Sequence, residues 1–303
     1  MTNEKRVIAL GFFDGIHLGH RALIEKTLER SRELGVQPAV ISFDVHPDTL
    51  VRGRKVSMIN SAFDRRDIVR RLFGIEDMIF LHFDREMMEM GWDAFVRWIA
   101  EEFGAVALVA GFDFTFGRRG EGNAKKLTAL CGKLGIVCDI VPEVEVDGRK
   151  VSSTYIKELL TGGKLTTANR FLGHPYLMTG TVVSGHRLGR TLGAPTINMR
   201  FGEGVLVPAH GVYAARAVLD DGRVFDAVTN VGVRPTVSGG KDVSVESNLL
   251  DFSGDLYGRT VRIEFYRFLR PEIRFGSLDE LQKQIAADAK AAAEYLTSVP
   301  TKS

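Results

Sequence analysis

The apolar pattern of this chain changes character once, near Tyr155, and that change limits the fold more than any other feature. Before it, short apolar runs at residues 7–10, 39–43, 78–83, 106–110 and 136–141 alternate with helical patterns over about 20–34, 63–73 and 92–103. Strands separated by helices of roughly 10–15 residues need crossover connections and so build a parallel sheet, whose ligands bind at the carboxyl ends of the strands. After it, short β-branched or alternating runs at 181–183, 212–219, 224–230, 243–249 and 260–265 are separated by turns such as Asp221-Gly222. That spacing predicts a small antiparallel barrel or sandwich. Ser277-Leu-Asp-Glu280 is a capping box, and Leu281, Ile285, Ala292 and Leu296 continue it at helical spacing, so the chain ends in a helix. The polar Thr161-Gly-Gly-Lys164 stretch leads to Leu172-Gly173, which divides the chain into domains 1–172 and 173–303.

Two domains need enough apolar residues for two cores. The chain has 303 residues, 45% hydrophobic and 26% charged, which is globular composition. A formal charge of +2 with mixed signs gives no basic face for nucleic acid. The two cysteines, Cys131 and Cys138, have no histidine at metal-ligand spacing and read as core thiols without a disulfide. The residues before the first strand are polar, so no secretory leader is expected, and no run reaches the 18 or so apolar residues of a membrane helix. A cytoplasmic protein that binds neither membrane nor nucleic acid is the expectation. Nothing in the sequence bears on the oligomeric state.

Two clusters carry chemistry. Gly11-Phe-Phe-Asp-Gly-Ile-His-Leu-Gly-His20 sits between the first strand and the first helix. Glycines let backbone approach a phosphate, and the helix N-terminus adds unpaired N–H groups and the positive end of a dipole. His17 and His20 share one helical face and can donate hydrogen bonds to a phosphate chain. Either histidine alone reads as a cap or a packing residue; together with three glycines and Asp14 they read as a site. The second cluster is Gly185-His-Arg-Leu-Gly-Arg-Thr-Leu-Gly-Ala-Pro-Thr-Ile-Asn198, a basic glycine-rich loop that can wrap phosphates. Thr196 and Asn198 offer neutral oxygens on one side of an extended segment, a donor type that suits Mg2+ carried in with nucleotide phosphates.

The first cluster resembles the HxGH signature of the nucleotidylyltransferase superfamily, in the form carried by prokaryotic bifunctional riboflavin kinase/FMN adenylyltransferases. Phe43-Asp-Val-His-Pro47 is similar to that family's F-x-x-H-P, Gly111-Phe-Asp-Phe-Thr-Phe-Gly117 to its G-x-[DN]-F-x-F-G, and Val151-Ser-Ser-Thr154 to its substrate-closing loop. The second cluster resembles G-R-x-L-G-F-P-T-x-N, and the likeness runs on through Pro208–Tyr213, Asn230–Thr236, Glu246–Phe252 and Phe268–Glu272. The resemblance implies a Rossmann-like α/β domain followed by an antiparallel β-barrel with a terminal helix. It implies ATP-dependent conversion of riboflavin to FMN in the C-terminal half and of FMN to FAD in the N-terminal half, with flavins as substrates and products.

Residue by residue, it implies catalysis by Glu246, His17 and His20. ATP and phosphate contacts fall to Gly11, Phe12, Asp14, Gly15, Gly19, Ser153, Thr154, Lys157, Gly185, Arg190, Gly193 and Pro195. Flavin contacts fall to Asp113, Asn230 and Arg234, and the metal to Thr196 and Asn198. Lys157 stands where the family usually has arginine, which keeps the charge but loses the bidentate fork, while Ala194 and Asn248 replace a phenylalanine and a histidine. The alternatives are an enzyme with one of the two activities, a flavin-binding protein without turnover, and a cytidylyltransferase joined to a barrel of other function.

Overall fold

A computed structural model describes residues 4–53, 56–184, 196–202, 204–235 and 241–300. Its contacts divide the chain into two compact units, Met1–Ser153 and Thr154–Ser303. In the first unit, β1 (Arg6–Leu10), β2 (Gln37–Phe43), β3 (Met78–Leu81), β4 (Ala105–Gly111) and β5 (Val137–Val141) pair in parallel in the order β3-β2-β1-β4-β5. The helices that flank them are α1 (Leu18–Leu34), α2 (Pro47–Arg52), α3 (Ala62–Phe73), α4 (Arg85–Glu89), α5 (Trp92–Glu102) and α6 (Ala124–Leu134). This is the expected Rossmann-like sheet; after it β6 (Glu145–Val146) and β7 (Arg149–Lys150) form a separate antiparallel pair. Val7, Ile8, Ala9 and Leu10 of β1 are all buried, as a central parallel strand covered on both faces must be. From β1 the chain adds strands first to one side and then to the other, so the crevice above β1 and β4 is the topological switch point. Leu10 pairs with Ala110, and the two glycine-led loops that follow therefore start side by side.

Helix α7 (Ser153–Thr161) spans the division: its first residue closes the first unit and the rest opens the second. In the second unit, α8 (Leu165–Leu172) is followed by β8 (Tyr176–Val183), β9 (Thr196–Arg200), β10 (Gly211–Leu219), β11 (Val224–Pro235), β12 (Lys241–Leu249) and β13 (Thr260–Arg270). These close into an antiparallel barrel in the order β10-β11-β12-β9-β8-β13, and α9 (Leu278–Thr297) packs on it through Ala292 and Leu296. Ser277 caps α9 by accepting from the Glu280 amide at 3.2 Å, as the capping box predicts. The barrel strands alternate: Val261, Ile263 and Phe265 of β13 point inward between more exposed neighbours. Helix α8 docks on the barrel by Asn169, which donates to Phe265 O and accepts from Tyr176 N, both at 2.8 Å.

Candidate active sites

The first site is built on the turn from β1 into α1. Phe13 (φ 51°), Gly15 (φ 89°) and Ile16 (φ 43°) all take left-handed backbone, which a β-branched residue adopts only under constraint. The constraint is visible. Asp14 Oδ1 accepts from Ile59 N at 2.7 Å, and Ser153 Oγ donates to Asp14 O at 2.9 Å. His17 caps α1, its Nδ1 accepting from His20 N at 3.3 Å. With Nδ1 an acceptor, its ring proton resides on Nε2, which makes that nitrogen a donor. The two imidazoles stack 3.6 Å apart at 13°. A Cβ at Gly19 would come within 3.1 Å of the His17 ring, so the glycine of the HxGH pattern makes room for the stack. Burial, then His17 and Arg65, holds the His20 pKa well below its ordinary value, so at neutral pH His20 is an uncharged imidazole. Among the described residues its Nδ1 is buried without a hydrogen-bond partner.

Gly11, Phe12, Asp14, Gly15, His17, Gly19, His20 and Ser153 are thus brought together at the carboxyl end of β1. Asp113 follows β4 at the same crevice, and its carboxylate holds Lys150 Nζ at 2.9 Å, which also reaches Glu143 at 2.8 Å. Thr154 and Lys157 belong to α7 in the second unit. Sequence reasoning missed Arg65 of α3, which is 1% exposed and donates to Phe12 O, Ser42 Oγ and Phe43 O. Its signal was present: Arg65 shares a helical face with the buried Ile68 and Val69.

The second site is set by strand register. Asn198 of β9, Glu246 of β12 and Asn230 of β11 are direct partners in one row. Thr196, Asn248 and Val228 form the next row on the same face. A cavity of about 260 Å³ opens there, lined by Thr196, Asn230, Glu246 and Asn248 from the barrel. Ile273, Phe275, Leu281 and Ile285 give it an apolar side. Asn198 lies in the same row, 8% exposed. A few polar groups against an apolar wall make the mixed lining of a small-molecule site. Two further carboxylates line this cavity: Glu272, which accepts from Asn230 Nδ2 at 3.4 Å, and Asp288, which is paired with Arg270 at 2.7 Å. Thr196 also lines a larger cavity, about 760 Å³, with Phe252, Asp255 and Tyr257.

Gly185, Arg190, Gly193, Ala194 and Pro195 lie outside the described residues, and Arg234 is placed by its backbone on β11. Cys131 and Cys138 are free thiols, Cys131 in the core of the first unit. Among the described residues no helix is long and apolar enough to cross a membrane. No group of three or more His, Cys, Asp or Glu there could hold a metal ion.

Both halves of the chain match known protein families. The FAD synthetase family model matches residues 1–155 and the riboflavin kinase model residues 172–296. The bifunctional riboflavin kinase/FMN adenylyltransferase of Listeria monocytogenes is 34% identical over 95% of this chain and 91% of its own length. That of Bacillus subtilis is 34% identical over 97% and 94%. A crystal structure of a macrolide-efflux protein from Streptococcus pneumoniae superposes with a TM-score of 0.85 at 30% identity, covering 97% of this chain and 95% of that one. Matched in both halves, in this order and along nearly its whole length, the chain belongs to the bifunctional riboflavin kinase/FMN adenylyltransferase family.

Proposed function

We propose that this chain phosphorylates riboflavin with ATP on its barrel and adenylylates the resulting FMN on its parallel sheet, releasing FAD and pyrophosphate. The observation that carries the reading is the Asn198–Glu246–Asn230 row at a cavity, in a different compact unit from the His17–His20 loop. The two chemistries ask for different groups. A ribityl hydroxyl must lose a proton to attack a phosphoryl group, so a carboxylate at that position is useful, and Glu246 is our general base. The phosphate of FMN is already mostly ionised at neutral pH, with a second pKa of about 6, and needs positioning rather than a strong base. His17, the uncharged His20, backbone amides of the loop 11–15 and the start of α1 suit that task.

Asn230 and Arg234 are our flavin contacts at the barrel, and Asp113 at the sheet. The nucleotide is assigned to the loop 11–20 with Ser153, Thr154 and Lys157 in one half, and to Gly185, Arg190, Gly193 and Pro195 in the other. Thr196 lines both barrel cavities, which supports a flavin in one and a nucleotide in the other. Thr196 and Asn198 fit Mg2+ by donor chemistry: two neutral oxygens beside one carboxylate are too few for an all-protein cage and enough for an ion that shares phosphate oxygens. When bound, that ion neutralises phosphate charge. Glu246 meanwhile holds the hydroxyl and accepts its proton. A kinase half that is complete in its chemistry from Gly173 onward and a cytoplasmic location complete the proposal.

Incubation with riboflavin, ATP and magnesium, with FMN and FAD resolved over time, tests the whole reading. Glu246→Gln separates the halves. Riboflavin phosphorylation should fall by roughly 10²–10⁴, while conversion of supplied FMN to FAD stays nearly unchanged. Full kinase activity in the folded variant excludes Glu246 as the base.

A further inference from the structure

We propose that Arg65 is a positioning residue of adenylyl transfer, holding the loop 11–15 in shape with its guanidinium fork and fixing a positive charge beneath it. The inference rests on the reading of that loop as the nucleotide site. Arg65 reaches the carboxyl ends of three neighbouring strands at once. After β1, its Nη1 donates to Phe12 O at 3.0 Å; at the end of β2 it donates to Ser42 Oγ at 2.9 Å and, through Nη2, to Phe43 O at 3.1 Å. On β3, the Phe80 ring centroid lies 4.8 Å from its guanidinium carbon, and the Phe12 ring lies 5.6 Å away. Ser42 Oγ also donates to Phe12 O at 2.7 Å, so two side chains converge on the one carbonyl that starts the strained turn.

A buried cation needs compensation, and here it is thin. Every oxygen that Arg65 donates to is neutral, and among the described residues no carboxylate lies within ion-pair distance of it. Among the described residues its buried Nε has no acceptor. Asp14 and Asp44 act on it only from further off, and burial lowers its pKa to about 10, which leaves it charged at neutral pH. Isolated charges of this kind destabilise a fold by several kcal/mol unless something offsets them. A fixed cation beneath a loop whose ligand is a polyphosphate is offset when the ligand binds. A fold staple alone would not need the charge: an apolar side chain of similar volume in place of a buried ionic group is often neutral or stabilising. The fork and the charge therefore have separable consequences. The fork fixes where the Phe12 carbonyl and the following turn stand, and a shift of about 1 Å in such a scaffold costs about 10² in rate. The charge acts on anion affinity over longer range.

The test compares full-length Arg65→Lys and Arg65→Met with the wild type, assaying FAD formation from FMN and ATP beside FMN formation from riboflavin in the same preparations. Both tryptophans, Trp92 and Trp98, lie on α5, so their emission reports folding of the first unit. Arg65→Lys keeps the charge and loses the fork: kcat for FAD formation should fall about tenfold or more, with the KM for ATP within about twofold. Arg65→Met loses both: kcat should fall by about 10² and the KM for ATP should rise about tenfold. Riboflavin phosphorylation should be unaltered in both. Wild-type FAD kinetics in either folded variant overturns the proposal, and so do equal losses in the two variants. If the methionine variant does not fold, the lysine variant decides by the same kcat and KM criteria. Loss of folding in both makes Arg65 a structural staple and overturns it too. A wild-type chain that forms no FAD counts instead against the reading of the loop.

Discussion

Electrostatics at His20 couples the proposed adenylyl site to the stability of the first unit. Folded, the His20 imidazole stays neutral well below pH 6.5 because burial, His17 and Arg65 all oppose its charge. Unfolded, it titrates near 6.5 like any histidine. Below that pH the unfolded chain therefore binds the extra proton, and folding stability falls with acidification, by up to about 1.4 kcal/mol per pH unit, until the folded pKa is reached. His82 works in the opposite sense, since its contact with Asp44 raises its pKa, but it is exposed and its effect on stability is small. The prediction is a difference: urea unfolding followed by tryptophan emission should lose stability between pH 7 and 5 in the wild type, more than in His20→Asn. Identical slopes would mean that the imidazole is not held neutral. The same residue-scale view explains Gly19. Its missing Cβ, rather than an unusual dihedral, lets His17 and His20 stack.

At the scale of elements, the barrel site is a product of register. Antiparallel pairing of β9 with β12 and β12 with β11 sets Asn198, Glu246 and Asn230 in one row, and a slip of one residue would turn Glu246 away from that face. Replacing Thr196 and Asn198 together by alanine should abolish riboflavin phosphorylation at ordinary magnesium and restore part of it at high magnesium. FAD formation from supplied FMN should not change. An unaltered magnesium titration of the kinase would exclude both residues as ligands. How much of this was readable follows from the physics of each element. Parallel strands covered by helices show as short, dominantly apolar runs, so β1 to β5 were legible to within a residue or two. Helix α6 was not, because Gly132 and three lysines interrupt its pattern and only Leu127, Leu130 and Cys131 face the core. Strand β9 was hidden in a loop motif, since Thr196-Ile-Asn-Met-Arg200 becomes a strand only by pairing with β8 and β12. Arg65 shares a face with Ile68 and Val69, and the neighbouring Arg66, Arg70 and Arg71 obscured that signal in the sequence. For Glu246 the sequence supplied the residue, but only the register supplied its companions.

At the scale of the whole molecule, the question is where one half ends. The FAD synthetase model stops at residue 155 and the riboflavin kinase model begins at 172, while the contacts divide the chain between Ser153 and Thr154. Helix α8 lies in the interval, and it belongs physically to the barrel unit. Leu165, Ala168, Phe171 and Leu172 are buried, Asn169 ties Phe265 O to Tyr176 N, and Ala209 N donates to Leu160 O at 2.9 Å. A fragment beginning at Gly173 keeps every barrel strand, Glu246, Thr196 and Asn198, and should make FMN from riboflavin and ATP. It should make no FAD, since His17 and His20 are absent. A fragment beginning at Thr154 should do the same chemistry with a more stable fold. Burial of a leucine or phenylalanine side chain contributes about 1.5–3 kcal/mol, so restoring three such residues should add at least ~3 kcal/mol even if the barrel face rearranges in their absence. Thermal unfolding by circular dichroism, beside a kinase assay on both purified fragments, measures this directly. Equal midpoints would show that α8 contributes nothing to the barrel. A folded Thr154 fragment that cannot phosphorylate riboflavin, while the intact chain can, would place part of the kinase site in the first unit and refute the independence of the two halves.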